Sequence, residues 1–533
     1  MNIIQTLNNI FTIVHGFINE LISSFTPVMV FPIMTIIFLL FFFLYYIKIL
    51  QPQQGTSEWI DMEINKPKLS FLSGRYPMSK RDLLPLAIIT AVFLFLAILN
   101  LGDMIEIDVL REIDSPSENH THMSSMYFDE IYFVRTAVEH IENLNPYEIS
   151  HPPLGKLIIA VSVLLFGTSP FGWRLTGAVF GVLMLAIMYI FIKNMSGKTV
   201  VSVCGTLLFG FDFMRFVQTR VATIDVFSVS MILLSFFFMY RYITTDADAP
   251  FRKSLPPLAL SGIFFGLSFA IKWTGFYAGA GLLVIYIIRL FQHGSYFSSI
   301  KRPGFDKYLL KTLLYSFLFF VVIPLIIYYL TYIPYGLARG MTLENGMLWS
   351  SGFFRLVWSN QLVIFNYHNN LVATHPFSSM WWQWLFNIRP VLYVNSVFDG
   401  ARATFGAFGN PVVWWGGLLA MIMMAIRVFT HRDGKALFIL IGYLSQLLPW
   451  VAVSRILFAY HYFPSTLFII LALAHIFNTI IERRRNHSGI SAVYGYVTVG
   501  GVLFALFYPA LSGMYLPQWY IAGYLKWFGS WPF

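Results

Sequence analysis

A single cysteine, Cys204, stands in 533 residues, so neither a disulfide framework nor a cysteine metal site can be assembled from this chain. Charge is scarce too. Only 11% of the residues are Asp, Glu, Lys or Arg against 57% hydrophobic, which excludes an ordinary soluble domain and indicates a polytopic membrane protein. No glycine-rich phosphate loop follows a strand pattern, so a nucleotide-binding fold is not expected. An enzyme built this way must draw its energy from an activated donor already in the membrane, or from an ion gradient. Neither a fixed-period repeat nor a low-complexity tract is found. The first strong apolar run has no basic flank before it and no small-residue cleavage site after it, so the first membrane span, rather than a cleavable signal peptide, is expected to do the targeting.

The charge that is present sums to +10. In a membrane protein such an excess marks cytoplasmic loops and contact with anionic lipid head groups, so the lipid bilayer is the expected partner and nucleic acid is not. At about 20 residues per span, apolar runs place membrane helices near Val28 to Ile49, Leu84 to Leu101, Trp173 to Lys193, Thr199 to Val217, Thr223 to Tyr242 and Pro256 to Ile271. Others follow near Gly275 to Leu290, Leu309 to Thr331, Pro411 to Arg427, Ala436 to Val453, Leu457 to Ile480 and Ile490 to Pro509. This predicts an all-α polytopic protein of about twelve transmembrane helices with both termini outside, and an interfacial helix over Ile3 to Phe25. Most of the 35 Lys and Arg then fall on the cytoplasmic side, including Arg75, Lys80 and Arg81 and the run Arg483 to Arg485.

The most informative stretch lies between spans, from Met126 to Lys156. It opens Tyr127-Phe128-Asp129-Glu130 and closes His151-Pro152-Pro153-Leu154-Gly155-Lys156, with Ile131, Val134, Val138 and Ile141 at helical spacing between. An amphipathic helix on the membrane surface is predicted, capped by Ser124 or Ser125 and stopped by Asn145-Pro146, with Asp129 and Glu130 in its first turn. Adjacent helix residues point about 100° apart, so the two acids cannot aim at one atom: one can serve as a base while the other orients it or holds a partner. Acids in a first turn can also simply complement the helix dipole. Arg174, Arg215, Arg220, Lys272 and Arg455 sit at the outer ends of spans; each alone reads as a snorkelling cation, but together with the acids they suggest a pocket for an anionic head group.

A second outer segment, from Tyr332 to Asn410, carries Phe353, Leu356, Val357, Gln361, Leu362, Ile364 and Phe365 in an amphipathic pattern, then Ala373-Thr374-His375-Pro376-Phe377-Ser378-Ser379. Trp381, Trp382 and Trp384 read either as an interfacial belt or as a sugar-stacking platform. His368 and His375 lie seven apart with no third ligand near, and no metal is assigned. The chain divides into residues 1–80 (interfacial helix, first span, basic loop), 81–331 (catalytic membrane part with the Asp-Glu loop), 332–410 (second outer loop) and 411–533 (four-span part).

Phe128-Asp129-Glu130 with His151 to Lys156, then Trp173-Arg174-Leu175, closely resembles the protein O-mannosyltransferase family within the C-fold membrane glycosyltransferases. The likeness continues at Arg220-Val-Ala-Thr-Ile-Asp225, Lys272-Trp273-Thr274-Gly275, Ala373 to Ser379, and from Arg455 through Tyr460-His461-Tyr462-Phe463-Pro464, covering roughly Arg81 to the C-terminus in order. There is no room between Tyr332 and Asn410 for the β-trefoil of eukaryotic members, so the chain looks like the compact archaeal or bacterial type. The resemblance implies an eleven-span core, with the Val28 to Ile49 span as an addition. It implies transfer of mannose, with inversion, from a dolichyl (polyprenyl) phosphate to Ser or Thr hydroxyls of acceptor proteins at the outer membrane face, or the lumenal face in a eukaryote. No cofactor is implied, divalent metal dependence is left open, and because family members act as dimers a homodimer is one expected assembly.

The chemistry assigns Asp129 as general base, with Glu130 beside it, and Arg174, Arg220, Lys272 and Arg455 as candidates to hold the departing lipid phosphate. His151, Lys156, Asp225, His375, Tyr460 and His461 are expected to support the site or bind the acceptor. Transfer to a glycolipid or glycan is the alternative within the same chemistry. A transporter would instead carry ionisable residues in mid-span.

Overall fold

The computed structural model describes residues 27–50, 75–102, 126–301, 303–398, 400–484 and 487–531. The interfacial segment Ile3 to Phe25 and the capping serines Ser124 and Ser125 lie outside the described residues. Among the described residues eleven helices are long and apolar enough to cross a membrane: Val30–Ile49, Lys80–Ile98, Pro170–Ser196, Asp225–Ile243, Phe251–Ile271, Trp273–Ser299, Phe305–Leu337, Pro411–His431, Gly434–Ala452, Ala459–Arg483 and Ser488–Ser512. Each overlaps a span expected from hydropathy.

The remaining expected span, Thr199 to Val217, is not one helix but two, Thr199–Gly210 and Phe213–Gln218. Asp212 makes the break. Its carboxylate accepts from the Arg215 amide at 3.3 Å, which caps the second helix, and from Trp414 Nε1 at 3.0 Å and the Asn410 amide at 3.3 Å. A hydropathy window averages over one acid, whereas a helix backbone does not. The broken segment nevertheless connects the two ends of the bundle. Pro170–Ser196 runs from Arg174, which holds Glu130, to Lys193, which holds Asp82; the chain then returns from Lys198, paired with Glu482, to Ala222, whose amide binds Glu130.

Asp225–Ile243 and Ala459–Arg483 form the centre, each with 83% of its apolar window buried, while Phe305–Leu337 lies at the periphery with 11%. Between apolar helices in lipid there is little hydrophobic drive, so small and hydroxyl-bearing residues set close approach. Ser228 and Ser268 meet at 3.0 Å, and the hydroxyls of Ser235 and Ser261 each donate to the other's carbonyl, locking Asp225–Ile243 to Phe251–Ile271.

The all-α expectation omits a small antiparallel sheet of Val391–Phe398, Ala401–Ala407 and Tyr515–Pro517. Its first strand is rich in β-branched and aromatic residues, and Asp399-Gly400 is a hairpin dipeptide, so the signal was present in the sequence. The hairpin backs the Asp-Glu loop: Tyr393 packs on Phe128, with ring centres 4.9 Å apart, and Phe405 on Tyr127 at 5.4 Å. The surface helix Ser351–Asn370 buries Phe353, Leu356, Val357 and Ile364, whereas Leu362 and Phe365 face outward with Phe354 and Trp358.

Candidate active site

The loop before helix Glu130–Ile141 turns through Phe128 at φ +50°, a left-handed conformation that costs a residue bearing a Cβ roughly 1–2 kcal/mol. Four rings hold it there: Tyr393 at 4.9 Å, His375 and Phe458 at 6.0 Å, and Tyr460 at 6.2 Å. Asp129 thus stands at the N-cap rather than inside the first turn, yet its carboxylate caps nothing and accepts no hydrogen bond among the described residues. It lines a cavity instead. Glu130 points away into the protein, where it is fully buried. It accepts from Arg174 Nε at 2.9 Å and Nη2 at 2.8 Å, from the Tyr127 amide at 2.9 Å and from the Ala222 amide at 2.8 Å.

Asp129 opens on a chamber of about 850 Å³ that also takes His151, Lys272, His368, His375, Arg455, Tyr460 and His461 in its walls. Beyond Ser150, His151, Lys272, His368 and Arg455 lies a second cavity of about 600 Å³. Its remaining walls are largely apolar, with Phe269, Trp273, Phe276, Tyr277, Trp450 and Val453. Polar and apolar compartments therefore meet at a seam of two cations and two imidazoles.

The cations at this seam differ. Lys272 Nζ is 2.7 Å from Asp225 Oδ1 and 5.4 Å from the Tyr460 ring centre, while Arg455 makes no ion pair or hydrogen bond among the described residues. The Arg174 and Arg220 side chains line neither cavity. Arg174 is spent on Glu130, the Leu101 carbonyl and the Tyr127 ring; Arg220 binds the Leu96 and Ala97 carbonyls and Asn100. Arg215 likewise serves the Phe209, Gly181 and Gly210 carbonyls. An arginine at a span end reads the same in sequence whether it faces phosphate or carbonyls.

Lys156 is buried and donates to Glu148 Oε2 at 2.6 Å, the Glu148 carbonyl at 2.8 Å and the His151 carbonyl at 2.9 Å, so it stitches the His151 loop and does not reach the chamber. Glu148, which sequence reasoning passed over, is the anchor: its Oε1 lies 3.1 Å from His151 Nδ1, leaving His151 Nε2 toward the chamber. The only signal for it was its place three residues before His151. His375 Nδ1 accepts from the Phe377 amide and His461 Nδ1 from the Phe458 amide, which fixes both rings at the chamber wall. Trp381, Trp382 and Trp384 line neither cavity; Trp384 is buried and donates to Ser379. Among the described residues no three His, Cys, Asp or Glu side chains gather as metal ligands would.

Electrostatics sort the acids. Enclosure by protein pushes the Asp129 carboxyl up to about 7; Lys272 opposes this, while the neighbouring Asp225 and Glu148 charges reinforce it. Burial pushes Glu148 the same way, but Lys156 and His151 outweigh it and hold that carboxyl well below the usual range. Burial also pushes His151 down, and burial with the charges of His151 and Arg455 takes His368 to about 3. The chamber thus holds one carboxylate without a partner among the described residues, pushed up to about 7, in walls that also carry Lys272 and Arg455.

Two family profiles match the chain: "Dolichyl-phosphate-mannose-protein mannosyltransferase" over residues 119–335 and "C-terminal four TMM region of protein-O-mannosyltransferase" over residues 353–531. The chain is similar to the polyprenol-phosphate-mannose–protein mannosyltransferase of Mycobacterium tuberculosis, 26% identical over 459 residues that cover 75% of this chain and 85% of that protein. Its counterpart in Mycolicibacterium smegmatis is 27% identical over 488 residues, 81% and 90% of the two chains. Among solved structures, a chain of the Saccharomyces cerevisiae protein O-mannosyltransferase Pmt1-Pmt2 complex bound to the sugar donor superposes with a TM-score of 0.72 at 15% identity. It covers 88% of this chain and 95% of that one, a likeness of fold.

Proposed function

The chain belongs to the protein O-mannosyltransferase family, and on that premise we propose that it moves mannose from a polyprenyl phosphate to Ser or Thr hydroxyls of proteins, with Asp129 as general base and inversion at the sugar carbon. The observation that carries the reading is the Asp129 carboxylate. It lacks any hydrogen-bonding partner among the described residues, is pushed up to about 7 by burial, and lines the same chamber as Lys272 and Arg455.

A hydroxyl is a weak nucleophile until its proton is taken, and a base with a pKa near the working pH does this best. The leaving phosphate gains charge as the glycosidic bond breaks. Arg455, whose guanidinium is unengaged, and Lys272, steadied by Asp225, lie where the apolar cavity meets the chamber. Polyprenyl chain in the apolar cavity and mannose in the chamber would bring the phosphate to that seam, where fixed cations lower the barrier. With base and phosphate on opposite faces of the sugar, one displacement suffices; Glu148, the chamber's other carboxylate, is tied to Lys156 and His151. Glu130 acts as a positioning residue, joining the loop to Arg174 and Ala222.

The active chamber opens on the outer face of the membrane. On a Cys204→Ser background, Val372→Cys in intact cells should react with an impermeant thiol reagent and Ser488→Cys should not; the reverse pattern would invert the layout. The activity itself is tested with purified protein, polyprenyl phosphate mannose and a Ser/Thr-rich peptide, read by mass spectrometry. A peptide left unmodified while the sugar appears on a lipid acceptor would replace the protein acceptor with a glycolipid.

A further inference from the structure

A third cavity, of about 470 Å³, borders the chamber. It is lined by Asn145, Pro146, Ile149, Tyr335, Arg339, Leu356, Ser359, Asn360 and Val363. It shares Ile149 and Val363 with the chamber and no residue with the apolar cavity. The three spaces are threaded along one helix, Ser351–Asn370. Leu356, Ser359 and Asn360 face the third cavity, Tyr367 and His368 the chamber, and Phe365, His368 and Asn369 the apolar one.

From this row we infer an acceptor-polypeptide subsite in the third cavity, where Arg339 takes an acidic side chain of the protein being modified. The inference rests on the protein-acceptor reading above. In an in-line displacement the nucleophile arrives opposite the leaving phosphate, so donor and acceptor need separate approaches. The apolar cavity suits the lipid, and the third cavity borders the chamber at Ile149 and Val363. Its chemistry fits a polypeptide, with amide and hydroxyl groups at Asn145, Ser359 and Asn360 for the main chain and one cation for a side chain. Asn360 is held in place, its Nδ2 donating to the Ile149 carbonyl at 3.1 Å and its Oδ1 accepting from Tyr332 at 2.7 Å. Arg339 is exposed, and its guanidinium makes no ion pair or hydrogen bond among the described residues.

Spacing gives the rule a register. Asn360 and His368 are eight residues apart on the helix, which is about 12 Å at 1.5 Å per residue, and an extended chain covers that in three to four residues at about 3.3 Å each. An acidic residue three to four positions from the modified Ser or Thr should therefore be favoured.

The test is a set of single-threonine peptides in which one Asp is walked from five residues before to five residues after the threonine, assayed with the full-length protein and polyprenyl phosphate mannose. Asp at three or four residues on one side should lower KM by about two- to fivefold relative to Asn at the same position, the scale of an exposed ion pair, with kcat little moved. In Arg339→Ala the Asp-to-Asn ratio of KM should fall to about one, and in Arg339→Glu a Lys at that position should become the preferred residue. A benefit independent of position, or one that survives in Arg339→Ala, overturns the subsite while leaving the mannosyltransferase reading intact. No transfer to any peptide overturns both.

Discussion

The two ends of the helix bundle handle charge differently. At one end the buried acids among the described residues are saturated. Asp82 accepts from Ser79 at 2.6 Å, Thr199 at 2.7 Å and Tyr189 at 3.1 Å, and meets Lys193 at 3.1 Å. Asp433 takes Arg427 at 2.6 Å, His475 at 2.8 Å and the amides of Lys435 and Ala436, while Lys198 bridges Glu482 and Asn478. At the other end Glu130 and Glu148 are equally well satisfied, but Asp129 and Arg455 have no partner among the described residues and stand beside open space. A buried or half-buried charge without a partner is costly. The paired acids of the first end tie helices together, whereas at the second two opposite charges stand beside open space.

The sharpest way to break this comparison is to remove one acid from each end. Asp129→Asn should lower transfer about 10²- to 10⁴-fold, the worth of a general base, with no loss of thermal stability because the carboxylate holds nothing. Asp433→Asn should do the opposite, costing about 3–5 kcal/mol of stability by stranding Arg427 and His475, while properly folded molecules stay active. Equal stability losses for the two variants would mean Asp129 has a structural partner after all.

The arginines extend the contrast within one end. Arg455→Ala should weaken donor use about tenfold or more, the scale of a hydrogen bond to a charged group, with Lys restoring part because it lacks the planar fork. Arg174→Ala should show itself first in unfolding, since Glu130 would be left buried without its cation. Full activity in Arg455→Lys would rule out bidentate recognition of the phosphate there.

The smallest effect sharpens the electrostatics. A base whose pKa is raised to about 7 is protonated, and idle, below that value. The kcat/KM of transfer should therefore fall roughly tenfold per pH unit as pH drops below about 7 and level off above it. Lys272→Met removes the cation that lowers this pKa, and so should move the limb to higher pH. A profile flat from pH 5 to 8 would place the proton acceptor elsewhere.

The sequence alone determined what depends on composition and local order: a polytopic helical protein, most of the span positions and the family. Apolar run length and ordered motifs are one-dimensional properties, so they survive without coordinates. The sequence also held the Asp399-Gly400 hairpin signal, which the helical expectation overrode, and it hid the break at Asp212 because that acid's partners, Asn410 and Trp414, come from a distant part of the chain. Only tertiary structure decided which cations are free. Arg174, Arg220 and Arg455 read alike as span-end arginines, and what separates them is whether a carbonyl, a glutamate or a cavity comes to meet the guanidinium from residues far away in sequence. The same holds for the two adjacent acids. Their divergence follows from helix geometry, but which one is buried against Arg174 and which faces the chamber was settled by Ala222, by Tyr393 behind Phe128, and by the left-handed turn that the surrounding rings enforce.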